Sequence, residues 1–180
     1  PRAPNSKSRP NKNHLRKKLR AYARWGKRRK KKKVLLFGTF DVLHPGHEAL
    51  FKQARRYGAK LTVILARDHT IKKIKKHEPV YGERARKRAL EKSGLVDHVV
   101  LGSLQDKYRT IKKIKPDVIC LGYDQTNFVG ALGERIKSFK LKTRIVRLKP
   151  FKPNLYKSTI LTRYVRHQIH TRERRGNKTQ

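Results

Sequence analysis

Two histidines, His44 and His47, stand three residues apart and bracket Pro45-Gly46 in the stretch GTFDVLHPGH, residues 38–47. The stretch is apolar and nearly uncharged. It follows the apolar run VLLF and lies five residues past a Lys/Arg run that ends at Lys33. Imidazoles in such a loop donate hydrogen bonds to phosphate oxygens with no metal required. With Pro45 in the first turn of a helix, that helix adds free N–H groups and the positive end of its dipole to the same place. Gly38 and Gly46 let the backbone come close to a ligand. The plain alternative is a capping turn with two incidental surface histidines; the strand–loop–helix context favours an anion site.

That context is read from the pattern of apolar runs. VLLF (34–37), LTVIL (61–65), HVVLG (98–102) and DVICLG (117–122) have the continuous apolar character of strands buried on both faces, and TRIVRL (143–148) alternates as a more exposed strand does. Between them, the spacing predicts helices over PGHEALFKQARRYG with Gly58 past its end, GERARKRALEKSG closed by Gly94, KYRTIKKIK ended by Pro116, FVGALGERIKSFK, and finally TILTRYVRHQI. No internal repeat is present. Strands alternating with helices give an α/β fold. We expect a Rossmann-like, doubly wound, about five-stranded parallel sheet with helices on both faces, plus a basic N-terminal arm. In such sheets ligands bind beyond the carboxyl ends of the strands, which is where residues 38–44 fall.

The chain has 180 residues with 50 Lys+Arg against 12 Asp+Glu, a formal net charge of +38, so its field attracts polyanions. Residues 1–33 hold 16 Lys/Arg and no acid, and 161–180 hold 6 against Glu173. We divide the chain into an arm (1–33, disordered and then a short amphipathic helix), a folded domain (34–170) and a basic tail (171–180). Arg16, Lys17, Arg20, Tyr22, Arg24, Trp25, Lys27, Arg28 and Arg29 interleave cations with aromatic rings, as nucleic-acid-binding arms do. The single cysteine, Cys120, excludes an internal disulfide framework and a Cys-based zinc site, and within VICL it reads as a buried, inert thiol. No stretch is apolar for long enough to span a membrane, and the N-terminus has no apolar signal core, so a cytoplasmic protein is expected. No GxxxxGK[ST] and no GxGxxG after the first strand is present, which removes P-loop kinases and dinucleotide oxidoreductases.

GTFDVLHPGH resembles the signature of the HxGH nucleotidyltransferases, the cytidylyltransferase-like superfamily that includes glycerol-3-phosphate cytidylyltransferase, phosphopantetheine adenylyltransferase and the archaeal-type FAD synthases. The similarity runs over roughly residues 33–165, and further segments resemble the family's motifs in the right order. ARDHTIKKIK is similar to the segment ending in a phosphate-binding lysine, with Lys75 as the best match and Lys72 and Lys73 as rivals. GERARKRAL resembles the segment whose arginine falls on Arg86. LGYDQ resembles the nucleotide-recognition loop, implying Gly122, Asp124 and Gln125. YKSTI resembles the motif that holds the β- and γ-phosphates, implying Lys157, Ser158 and Thr159.

By this resemblance Gly38, Thr39, Phe40, Asp41, His44, Gly46 and His47 belong to the nucleotide site, with Asp41 alternatively orienting the loop. His44, His47, Lys75 and Arg86 carry catalysis, Arg86 as a phosphate clamp. The implied reaction moves AMP or CMP from ATP or CTP to a phosphorylated acceptor and releases pyrophosphate. The first acceptor is FMN, giving FAD; glycerol-3-phosphate with CTP comes second, because GYDQ departs from the cytidylyltransferases' acidic pair and no RTxGIST precedes the last helix. In-line displacement at phosphorus calls for positioning and charge neutralisation rather than a nucleophilic side chain. Mg²⁺ would be held mainly by phosphates and water, with no protein metal ligands expected. Relatives commonly dimerise, so a homodimer is a further implication. The charge supports an alternative, an RNA- or ribosome-binding protein on a nucleotidyltransferase scaffold, and both roles can coexist.

Overall fold

The computed structural model describes residues 31–126, 129–156 and 158–176. Residues 1–30 of the expected 1–33 arm, with all its nucleic-acid contacts, Lys157 and the last four residues lie outside the described residues, whereas Lys33, expected in the arm, opens the first strand. The chain divides into units Pro1–Lys31 and Lys32–Gln180, and the second contains everything below.

Its elements follow the order β1 (Lys33–Gly38), α1 (Pro45–Arg55), β2 (Lys60–Leu65), α2 (Asp68–Lys75), α3 (Glu83–Lys92), β3 (His98–Leu101), α4 (Arg109–Ile114), β4 (Val118–Leu121), α5 (Leu132–Ser138), β5 (Arg144–Arg147) and α6 (Ser158–Gly176). The five strands are all parallel, in the order β3-β2-β1-β4-β5. The VLLF run explains why β1 is central. Val34 and Leu36 enter one core cluster with Phe51, Ala54 and Leu90 of α1 and α3, while Leu35 enters the other with Ile111, Leu132 and Ile136 of α4 and α5. A strand that must bury both faces needs a helical layer on each side. The Rossmann-like α/β expectation thus holds in strand number, direction and layering.

The order has one reversal. From β1 the chain winds outward through β2 and β3, then returns to place β4 on the other side of β1. Loops leaving β1 and β4 at their carboxyl ends diverge there and leave a crevice, the place where ligands bind in open α/β sheets. Both the 38–44 loop and the 122–125 loop border it.

Four helices differ from expectation. Asp68–Lys75 is a helix that the sequence reading left unassigned: its N-cap Arg67 offers no side-chain cap, and Ile71 is its one buried residue. α4 and α5 are shorter than the apolar period suggested, mostly at their starts, and Lys115 and Lys140 take left-handed φ values of 50° and 53° just past their ends. α6 runs on to Gly176, so the tail boundary at 170 falls inside a helix. Cys120 is fully buried, and burial pushes its thiol up to about 11, the inert state expected of it. No helix among the described residues is long and apolar enough to cross a membrane.

Candidate active site

The loop after β1 is shaped by steric necessity. Phe40 is buried with φ 47°, a left-handed conformation that costs a non-glycine residue energy. Its ring packs against His47 (centroids 5.0 Å) and Phe51 (5.2 Å). A Cβ on Gly38 would fall 2.4 Å from that ring, so Gly38 permits Phe40 to fold back under the loop.

His44 caps α1. Its backbone is extended, and its Nδ1 accepts the Gly46 N–H at 3.1 Å, a task usually given to Ser, Thr or Asp. That bond leaves the proton on Nε2, which donates to Ser158 Oγ at 3.1 Å. Ser158 Oγ in turn donates to His47 Nε2 at 3.2 Å. The tautomers are assigned from this network. The two imidazoles stack with centroids 3.7 Å apart. A Cβ on Gly46 would lie 2.8 Å from the His44 ring and 3.0 Å from the Tyr156 carbonyl, so the glycine between the histidines is what allows the stack. Ser158 opens α6, so the cluster joins the starts of two helices, each with N–H groups and a positive dipole end to offer an anion.

Burial sets the charge of this pair. Desolvation lowers the His44 pKa, and desolvation followed by the His44 and Lys75 charges lowers that of His47 to about 3, against a smaller opposing contribution from the Val42 backbone. His47 Nδ1 itself is buried with no hydrogen bond of normal geometry. Both rings are therefore neutral near pH 7, as polar donors and acceptors rather than cations.

The three candidate lysines separate by position. Lys72 forms an exposed ion pair with Glu78 at 2.7 Å. Lys75, at the end of α2, is the one that acts on His47. Its own pKa is lowered, first by desolvation, with Asp41 and Asp124 opposing and Arg86 and Arg166 adding. Lys75 thus faces the crevice between the β1 and β4 loops.

Arg86 is placed differently from the expected phosphate clamp. It is 1% exposed, and its guanidinium donates to the carbonyls of Tyr81 (2.8 Å), Thr39 (2.6 Å) and Ala66 (2.8 Å) and to Asp68 Oδ1 (2.6 Å). Those bonds commit it to the floor, as a positioning residue rather than a ligand for phosphate. Asp41 likewise takes the loop-orienting role: its carboxylate accepts the Val80 and Tyr81 N–H groups at 2.8 and 2.9 Å. Thr39 contributes its carbonyl to Arg86. Thr159 is exposed at the second position of α6 and joins none of these bonds among the described residues.

Across the crevice, Gln125 Oε1 accepts the Gly122 N–H at 3.3 Å, closing the loop after β4, and Asp124 is exposed beside it. Sequence reasoning missed the residue that holds this loop. Arg147, at the end of β5, donates through Nη1 to three carbonyls: Gly122 (2.9 Å), Tyr123 (3.2 Å) and Gln125 (3.0 Å). TRIVRL signals only an exposed strand position there. Also missed were Tyr156, which lies beside His44 (centroids 6.4 Å), and Asp68, the partner of Arg86.

A switch-point sheet with a polar histidine pair, a serine at a second helix start and a lysine facing them defines a nucleotide-handling α/β protein of the nucleotidyltransferase type. The description "Cytidylyltransferase-like" matches residues 35–168, and the chain belongs to that family of nucleotidyltransferases. It is 39% identical over 119 residues to an FAD synthase of Aciduliprofundum boonei, covering 66% of this chain and 79% of the relative. It is 40% identical over 116 residues to an FAD synthase of Methanohalophilus mahii, covering 64% and 80%. Among solved structures it is similar to a lipopolysaccharide core biosynthesis protein of Thermoplasma volcanium, with a TM-score of 0.64 and 32% identity over 68% of this chain and 99% of that one.

Two outcomes are expected. Below pH 6.5 the unfolded chain protonates His47 while the folded chain does not until about 3, so this residue makes stability fall with acidification across that window. Urea unfolding followed from pH 6.5 downward should show a shallower loss in His47→Gln than in the parent, and identical slopes would refute the depressed pKa. Arg147→Met should raise KM for the nucleotide about tenfold, the loss of roughly one net charged hydrogen bond, with kcat changed far less. An unchanged KM would show that the 122–125 loop holds its shape without Arg147.

Proposed function

We propose that this protein transfers AMP from ATP to FMN, forming FAD and releasing pyrophosphate. A phosphate oxygen of FMN attacks the α-phosphorus of ATP; that P–O bond forms as the α–β bridging P–O bond breaks, and pyrophosphate leaves. The observation that carries the reading is the His44–Ser158–His47 cluster at two helix starts on the switch point, in a chain about 40% identical to FAD synthases. The three groups now satisfy one another. With a triphosphate bound, they exchange those bonds for phosphate oxygens, and the triphosphate's negative charge raises both histidine pKa values toward the donating, cationic form. Lys75 supplies fixed positive charge from the opposite wall. The α6 start, with Ser158 and the expected Lys157 and Thr159, takes the β- and γ-phosphates. Gly122, Asp124 and Gln125 take the nucleoside.

The residues fit a divalent cation carried by the triphosphate. Among the described residues no group of three or more His, Cys, Asp and Glu forms a cage. Asp41 is spent on backbone N–H groups, which leaves Asp124 as the exposed carboxylate at hand. Bound Mg²⁺ would shield phosphate charge, as is usual for an ion that keeps its waters and prefers phosphate oxygens. The reading keeps the expected cytoplasmic setting.

The test is acceptor-dependent pyrophosphate release with Mg²⁺, together with chromatographic detection of FAD. FMN with ATP should be turned over, and glycerol-3-phosphate with CTP should not. His44→Ala should lower kcat about 10²–10³-fold, the cost of losing one preorganised donor to developing charge, while the chain still folds with its stability reduced by only about 1 kcal/mol, the cost of the lost α1 cap. Release with glycerol-3-phosphate and CTP but not with FMN would overturn the choice of acceptor.

A further inference from the structure

We propose that a groove at the amino-terminal edge of the sheet, remote from the catalytic crevice, binds an unpaired nucleotide of single-stranded nucleic acid. The groove lies where α5 meets the start of β5, a cavity of about 490 Å³, within the size range of small-ligand sites. Ile136, Leu141, Ile145, Lys137 and Lys142 line it; Arg144 also borders it, but its guanidinium lies over the Tyr57 ring at 5.9 Å. Ile145 is 38% exposed, which leaves a flat apolar surface at an open sheet edge. The active-site loops leave the carboxyl ends of the strands, so this is a separate place on the molecule.

Charge distribution extends the groove into a track. The helical layer over this face, α4 and α5, presents Lys107, Arg109, Lys112, Lys113, Arg135 and Lys140, all exposed. Each of the ion pairs found among the described residues uses residues between 48 and 97, on the other elements, and none neutralises a cation of this face. The exposed acids beside them are Asp106 and Glu134. Several cations are held in place by rings: Lys107 and Arg135 lie over Tyr108 at 5.3 and 5.6 Å, and Lys112 over Phe139 at 5.5 Å. Fixed cations beside an apolar slot are what a single strand requires, phosphates along the track and a base face in the slot. A lipid surface fits less well, because Tyr108, Ile111 and Ile136 are buried beneath the track and its apolar exposure is confined to single residues such as Ile145 and Leu104.

The test is fluorescence-anisotropy titration of the full chain with a labelled oligouridylate over a range of salt. In Lys112→Gln/Lys137→Gln/Lys142→Gln, affinity should fall at least about tenfold, and the slope of log K against log salt should shrink by about 2, from three lost phosphate contacts at roughly 0.7 each. The control is Arg56→Gln/Arg88→Gln/Lys92→Gln, an equal charge change on the opposite layer, where affinity should fall less than about twofold. Ile145→Ser should weaken binding several-fold with the slope unchanged, because it removes base contact and no charge. FAD formation should be unaffected throughout. Equal losses in the two triple variants would assign binding to overall charge and overturn the proposal. So would equal competition by duplex RNA, or displacement of the probe by vesicles rich in anionic lipid or by an acidic peptide but not by single strands.

Discussion

The buried guanidinium of Arg86 is the constraint on which the site depends. It bonds the carbonyl of Thr39 after β1, that of Ala66 after β2, that of Tyr81 before α3, and the carboxylate of Asp68 at the start of α2. The Thr39 and Ala66 carbonyls lie just past the ends of β1 and β2 with no ladder partner of their own, and an unpaired buried carbonyl is costly. One planar fork satisfies these two and the Tyr81 carbonyl, which fixes the spacing of three loops at once. A buried charge is tolerable only when it is paired and fully hydrogen-bonded, and Asp68 provides the pairing. Around this centre Asp68 and Glu83 cap each other's helices, each carboxylate accepting the other's N–H at 3.0 and 2.9 Å. Glu83 is held below the usual carboxylate range, chiefly by its bond to Arg67.

Upon that frame the site is a matter of close approach. Gly38 makes room for the Phe40 ring, Phe40 supports His47, and Gly46 makes room for the His44 ring and the Tyr156 carbonyl. Neutral stacked imidazoles are the consequence of desolvation and of each other's proximity.

The strands and the crevice were legible because buried parallel strands are continuous apolar runs, and the HPGH loop could follow only one of them. The family resemblance supplied Ser158, but its seat between the two histidines depends on packing across the sheet. Helix α2 escaped notice because Arg67 gives no cap signal and Ile71 alone is buried. Arg86 was assigned to phosphate because a motif position names a residue without saying which way its guanidinium points. Arg147 was invisible for a related reason, since alternation in TRIVRL marks exposure and says nothing of the three carbonyls within reach. What the sequence could not convey was direction, the feature that separates a ligand from a brace.

His44 and Ser158 lie 114 residues apart, yet they share one hydrogen bond. The central strand must also pair with β4, whose partner positions lie more than eighty residues downstream. Long-range contacts of this kind carry the entropic cost of closing large loops and form late. During synthesis the histidines emerge more than a hundred residues before the serine they meet. A nascent or carboxyl-truncated chain therefore has the anion-seeking loop without the second helix start. The cluster is complete only when α6 docks beside the β1 loop and brings Ser158 between the two rings.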